Sequence, residues 1–178
     1  MAEVFTRLVR PVILGAARSN RMRRAAERIP VTRKVVERFV AGETVPEVVG
    51  SVAQLRDSGR TVTIDYLGED TTKIEDAQVT VRAYLELLDS LGKRGEPVDT
   101  KVRPLEVSLK LSALGQALPR DGEKIALENA HTICERAQRV GAWVTVDAED
   151  HTTTDSTLSI VRDLRTEFDW LERFCRPT

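Results

Sequence analysis

Aromatic side chains make up only 4% of the 178 residues, so any core this chain builds must be aliphatic, drawn from Val, Leu, Ile and Ala. Cysteine is scarce too. The two present, Cys134 and Cys175, have neither a close partner nor metal-ligand spacing, which leaves both as free thiols of a reducing cytosol. The two histidines, His131 and His151, stand without a second His or Cys at ligand spacing, so no metal is expected. Long apolar runs are missing as well. The longest near the start, Val12 to Ala17, follows Pro11, sits between Arg10 and Arg18, and is far short of a membrane span. With no convincing cleavage site after it, it does not read as a signal peptide, and a soluble cytoplasmic protein is expected.

What is present is an ordinary globular mixture, 41% hydrophobic and 31% charged, enough for one sizeable core. The net charge of -1 hides an uneven distribution. Residues 1–40 hold ten basic side chains against three acidic ones, a local excess of seven. Two readings stand for this stretch: a solvated helix face, or a basic amphipathic patch for an anionic membrane surface, which would make the protein peripheral at the inner face of the membrane. Nucleic-acid binding is disfavoured, because no reading module or aromatic stacking platform accompanies the arginines.

Apolar spacing predicts helices over residues 3–28 (bent or divided at Pro11), Val31 to Val40, and Glu47 to Asp57, with Pro46 at a helix start and Gly59 as the stop. From residue 61 the texture changes. Strands are expected at Thr61 to Leu67, Leu105 to Leu111 and Trp143 to Asp147, mostly as apolar runs buried on both faces. Helices are expected between and after them: Thr72 to Leu91 with Ile74, Ala77, Val81, Tyr84, Leu85 and Leu88 inward; Glu123 to Arg139 with Ile125, Ala126, Ala130, Ile133 and Ala137 inward; and 153–168 with Leu158, Val161 and Leu164 inward. Strand alternating with helix over short connections means parallel βαβ units. Leu67-Gly68-Glu69-Asp70 stands where a Gly-rich phosphate loop would follow the first strand, which argues against a dinucleotide-binding doubly wound sheet.

Each strand ends in charge: Asp65 and Glu69 after the first, Lys110 on the second, Asp147, Glu149 and Asp150 after the third. In a parallel barrel those ends converge on one mouth, where active sites lie. Burying an isolated charge costs several kcal/mol unless it is paired, so three such ends suggest a mixed-sign cluster. For a single residue a solvated loop or a structural ion pair explains the charge equally well. For Lys110, inside Val107-Ser108-Leu109-Lys110-Leu111-Ser112, that alternative is weaker, because exposed lysines seldom sit within such runs. Ser112 has no nucleophile elbow around it, so a turn role is favoured.

Asp65-Tyr66-Leu67-Gly68-Glu69, Ser108-Leu109-Lys110-Leu111-Ser112-Ala113-Leu114-Gly115 and Val146-Asp147-Ala148-Glu149 resemble, in order, the first three barrel strands of bacterial monofunctional proline dehydrogenases. Arg38-Phe39-Val40-Ala41-Gly42-Glu43 looks like the helical lead-in of that family. The resemblance covers the chain from about residue 30 to 170. It implies an α/β fold, a partial (βα)8 barrel of three βα units over residues 61–178 after a helical lead-in at 1–60. It also implies oxidation of L-proline to pyrroline-5-carboxylate with FAD, quinone being the electron acceptor. Carried over by position, Lys110 would pair with the proline carboxylate and Asp65 would orient Lys110 or shape the pocket. Asp147 would be the active-site aspartate, the backbone of Ala148 would approach the flavin, and Glu69 would gate the site. The family's later strands and final helix have no counterpart here, and such barrels need ~250 residues, so a truncated, inactive fragment is expected. The alternatives are a non-catalytic half-barrel interaction protein and a different barrel enzyme acting on an anionic metabolite.

Overall fold

The computed structural model describes residues 40–68, 71–92, 105–148 and 151–168. The expected helix at 3–28, and all of the one at 31–40 except Val40, lie outside these. Residues 44–178 form a contact unit separate from 1–43. Its first element is helix α1, Val45–Asp57. It opens with the N–H of Thr44 donating to Glu47 Oε2 at 3.2 Å and with Pro46 in its first turn, where a missing N–H costs nothing. Gly59 closes it at φ +80, a conformation that suits glycine.

Three strands follow, β1 (Val62–Asp65), β2 (Leu105–Lys110) and β3 (Trp143–Asp147), in the spatial order β1-β2-β3 and parallel throughout. Helices α2 (Ile74–Gly92) and α3 (Gly122–Val140) connect them, and α4 (Thr154–Glu167) follows β3. In the helix layer α1 packs on α2, α2 on α3, and α3 on α4. Among the described residues no helix is long and apolar enough to cross a membrane.

The core lies between this helix layer and one face of the sheet. Leu105, Val107, Leu109 and Val144 are buried there with Leu88, Leu91, Ala130, Ile133, Ile160 and Leu164. At about 25 cal/mol per Å² of apolar surface, each large aliphatic chain so buried contributes about 1.5–3 kcal/mol. Side chains alternate along a strand, and the register sorts the residues into two sets. Val62, Ile64, Leu105, Val107, Leu109, Val144 and Val146 belong to the core face. Thr63, Asp65, Glu106, Ser108, Lys110, Trp143, Thr145 and Asp147 fall on the other.

That alternation corrects the expectation of apolar runs. Only β2, the middle strand, is largely buried along both faces, whereas β1 alternates between half-buried and exposed. β1 also ends at Asp65 rather than Leu67, and Leu67 is 72% exposed. Leu111 leaves β2 for a 3₁₀ turn, Leu111–Leu114. Two helix faces are rotated from their expected phase. Ile74, in the first turn of α2, is exposed, and Thr80, Leu87 and Leu91 complete that buried face. In α4 Leu158 is 54% exposed, while Thr157, Ile160 and Leu164 face inward.

Candidate functional site

The C-terminal strand ends bring two of the charged residues into direct contact. Lys110 Nζ lies 3.3 Å from Asp65 Oδ2, with side chains 15% and 32% exposed. Asp147 stands beside Lys110 on the same sheet face, the two being register partners on β3 and β2. The ion pair is half-sheltered, a setting in which each charge leans on its partner more than a surface pair does.

Beneath these charges sits the hydroxyl of Tyr84, carried by α2 and 2% exposed. It donates to the carbonyl of Ser108 at 2.5 Å and accepts the N–H of Tyr66 at 3.1 Å. Burial pushes the Tyr84 hydroxyl well above its ordinary pKa. The Tyr66 N–H acts against that shift, the carboxylates of Asp65 and Asp147 add to it, and the ammonium of Lys110 opposes it. The three charges that act on this one buried hydroxyl are those the ion pair and the β2–β3 register already set side by side. The sequence marks Tyr84 only as an inward residue of α2. A buried phenol needs a hydrogen-bond partner, and a lone tyrosine on an aliphatic helix face facing strand ends was the available signal.

The loops around the strand ends are cross-tied. The N–H of Thr71 donates to the Ser112 carbonyl at 3.1 Å, and its hydroxyl to the Ala113 carbonyl at 3.2 Å, joining the β1–α2 loop to the turn after β2. Gly115, at φ +108, ends that turn where a Cβ would meet Ile125 Cγ2 at 3.0 Å and Leu118 Cδ1 at 3.1 Å. Asn129 Nδ2 donates to the Leu114 carbonyl, and Gln116 Nε2 to Ser156 Oγ and Thr157 Oγ1 on α4. The charges therefore stand on a braced rim. Ala148 is exposed immediately after β3. Glu69, Glu149 and Asp150 lie outside the described residues.

The remaining candidates are elsewhere. His131, on α3, contacts Glu167 at the end of α4 at 2.5 Å and lies near the buried Phe168, ring centroids 5.1 Å apart. His151 is exposed in the loop after β3. Cys134 is a buried free thiol, and Cys175 lies outside the described residues. Among the described residues no group of His, Cys, Asp or Glu could hold a metal ion.

Comparison with known proteins bears on this arrangement. The family model described as proline dehydrogenase matches residues 48–174. Proline dehydrogenase 1 of Bacillus subtilis is 34% identical over 140 residues, covering 79% of this chain and 43% of that protein. Proline dehydrogenase of Deinococcus radiodurans is 33% identical over 134 residues, covering 75% and 41%. The chain thus spans less than half the length of the curated relatives it matches. Among solved structures, proline utilization A from Bdellovibrio bacteriovorus, inactivated by N-propargylglycine, superposes with a TM-score of 0.65 at 23% identity, over 75% of this chain and 15% of that one. That likeness establishes a shared fold.

Proposed function

The chain belongs to the proline dehydrogenase family, and from that premise we propose that its strand-end cluster is the amino-acid-binding part of an enzyme oxidising L-proline to pyrroline-5-carboxylate. The observation that carries this is the half-sheltered Lys110–Asp65 pair with Asp147 in register beside it. L-Proline is a zwitterion. A fixed ammonium suits its carboxylate, and the Asp147 carboxylate suits its cationic ring nitrogen. Lys110 binds the substrate carboxylate, Asp65 holds Lys110 in place, and Asp147 is the active-site aspartate facing the ring. Glu69 gates the site from the loop after β1.

In this reading residues 61–178 are the first three βα units of a (βα)8 barrel, and residues 1–60 are its helical lead-in. The core face of the sheet turns to the outer helices, and the polar face becomes the barrel interior. FAD fits one feature of the described residues: Ala148, exposed past β3, carries only a methyl, which leaves its backbone open to a flat ring. When bound, FAD would accept the hydride from proline and pass the electrons on to quinone. The described residues contain no Gly-rich phosphate loop, and these 178 residues alone hold no FAD tightly and do not turn over. The basic residues of 1–40 would meet an anionic membrane surface on the way to quinone from a cytoplasmic protein.

Titrating the purified chain with L-proline and with pyrrolidine, which lacks the carboxylate, tests the binding roles at the backbone amides of Lys110 and Asp147. L-Proline shifts them, pyrrolidine does not, and Lys110→Ala abolishes the proline response. A response that survives in Lys110→Ala overturns the assignment. A flavin absorbance spectrum with stoichiometric bound cofactor would overturn the claim that these residues hold no FAD, and proline-dependent dye reduction the claim that they do not turn over. A second reading, a non-catalytic half-barrel that assembles with a separate piece, is favoured by one observation. β1 and β3 stand at the two ends of the described sheet, and exposed edges invite pairing.

A further inference from the structure

The β1–β2 register runs to the pair Asp65↔Ser108. Continued by one residue it would set Tyr66 opposite Leu109. In a parallel ladder the N–H of Tyr66 would then reach the carbonyl before that partner, the one on Ser108. That direct bond is replaced. The Tyr84 hydroxyl occupies the gap, accepting from Tyr66 N–H at 3.1 Å and donating to Ser108 O at 2.5 Å. The phenol ring is anchored on α2, 2% exposed, and tilts against the Tyr66 ring at a centroid separation of 6.1 Å. A hydroxyl inserted between two backbone groups holds them farther apart than a direct hydrogen bond would. The residues immediately beside the insertion are Asp65 on β1 and, two beyond Ser108 on the same face, Lys110 on β2.

We propose that Tyr84 is a positioning residue for this site: its hydroxyl is a wedge in the β1–β2 ladder that sets how far apart the strand ends carrying Asp65 and Lys110 stand. The proposal rests on the reading above, because the pair it positions is the one assigned to the proline carboxylate. Removing the hydroxyl either zips Tyr66 N–H onto Ser108 O directly or leaves two sheltered backbone groups unpaired. Both outcomes displace Asp65 relative to Lys110 without touching either side chain.

Nuclear magnetic resonance on the full 178-residue chain decides it. In the unaltered protein the Tyr84 hydroxyl proton exchanges slowly and gives a cross-relaxation peak to the Tyr66 amide proton, and absence of that peak overturns the wedge. This measurement stands even where the variant fails to fold. In Tyr84→Phe the Tyr66 amide and the Lys110 ammonium signals move, those of Val144 and Val146 on the β2–β3 side do not, and the L-proline dissociation constant rises about tenfold. A moved Tyr66 amide with an unmoved Lys110 signal and unchanged proline affinity leaves Tyr84 a purely structural residue and sinks the proposal. Should the unaltered chain show no proline response at all, the substrate reading fails, while the Tyr66 and Lys110 signals still judge the wedge.

Discussion

The two faces of the sheet use the same strands for opposite ends. On one, Val107 and Leu109 are wholly buried under α2 and α3; on the other, the neighbouring Ser108 and Lys110 share a polar surface with Asp65, Thr145 and Asp147. Glu106 on that surface accepts a hydrogen bond from Thr145 Oγ1 at 2.5 Å, so even its lower rung is polar and paired. A period of two thus separates stability from chemistry within a single strand. Substitutions one residue apart should have unlike consequences. Leu109→Ala removes a wholly buried side chain and leaves a cavity, at a cost of about 3 kcal/mol. Ser108→Ala on the opposite face costs about 1 kcal/mol or less. Urea denaturation of the two variants checks the difference, and equal losses would erase the division between faces.

A second test moves into the helix layer behind the core face. Cys134 on α3 is wholly buried, and burial pushes its thiol from 9.0 to about 12. Below pH 9.0 both folded and unfolded chains keep the proton, and the full stability is present. Above it the unfolded chain gives up the proton while the folded protein retains it, so stability falls with rising pH until about 12. The slope approaches about 1.4 kcal/mol per pH unit. The Tyr84 hydroxyl, pushed up in the same sense, adds to the loss above pH 10. Between pH 9 and 10 the slope belongs to Cys134, and Cys134→Ala flattens it in urea midpoints measured at each pH. A slope that persists in the variant would mean another group titrates there, and an unaltered chain without the slope would mean water reaches the thiol.

The same division explains what could be read before the fold was known. Strand and helix order followed from β-branched runs and Gly or Pro stops, and Lys110 stood out as a charge inside an apolar run. Its pairing with Asp65 needed the parallel register that the βαβ alternation implied. Helix phase was harder. α4 offers Leu158, Ile160, Val161 and Leu164, which fit more than one stripe. The observed face is selected by Thr157, whose hydroxyl accepts from Gln116 across the rim, a contact hydropathy does not register. Strand alternation was obscured for a related reason: Thr63 and Thr145 favour strands as valine does, so runs containing them read as continuous when one face is polar. Tyr84 reads in the sequence only as an inward helix residue, because its neighbours are ordinary helix residues and its partners are backbone groups.

The smallest effect tests whether charge alone distinguishes the polar face. His131 and Glu167 make a contact shorter than Lys110–Asp65, 2.5 Å against 3.3 Å, but between α3 and the end of α4 rather than at the strand ends. The Glu167 side chain is 63% exposed, against 32% for Asp65. Solvent and salt screen an exposed pair, so distance is the weaker determinant and shelter the stronger. Glu167→Gln should cost no more than about 0.5 kcal/mol, a cost that shrinks further in molar salt, and should leave the L-proline response of Lys110 unchanged. Urea midpoints at low and high salt, with the proline titration alongside, measure both. A larger, salt-insensitive loss in Glu167→Gln would place a sheltered charge pair outside the strand ends and remove what sets that mouth apart.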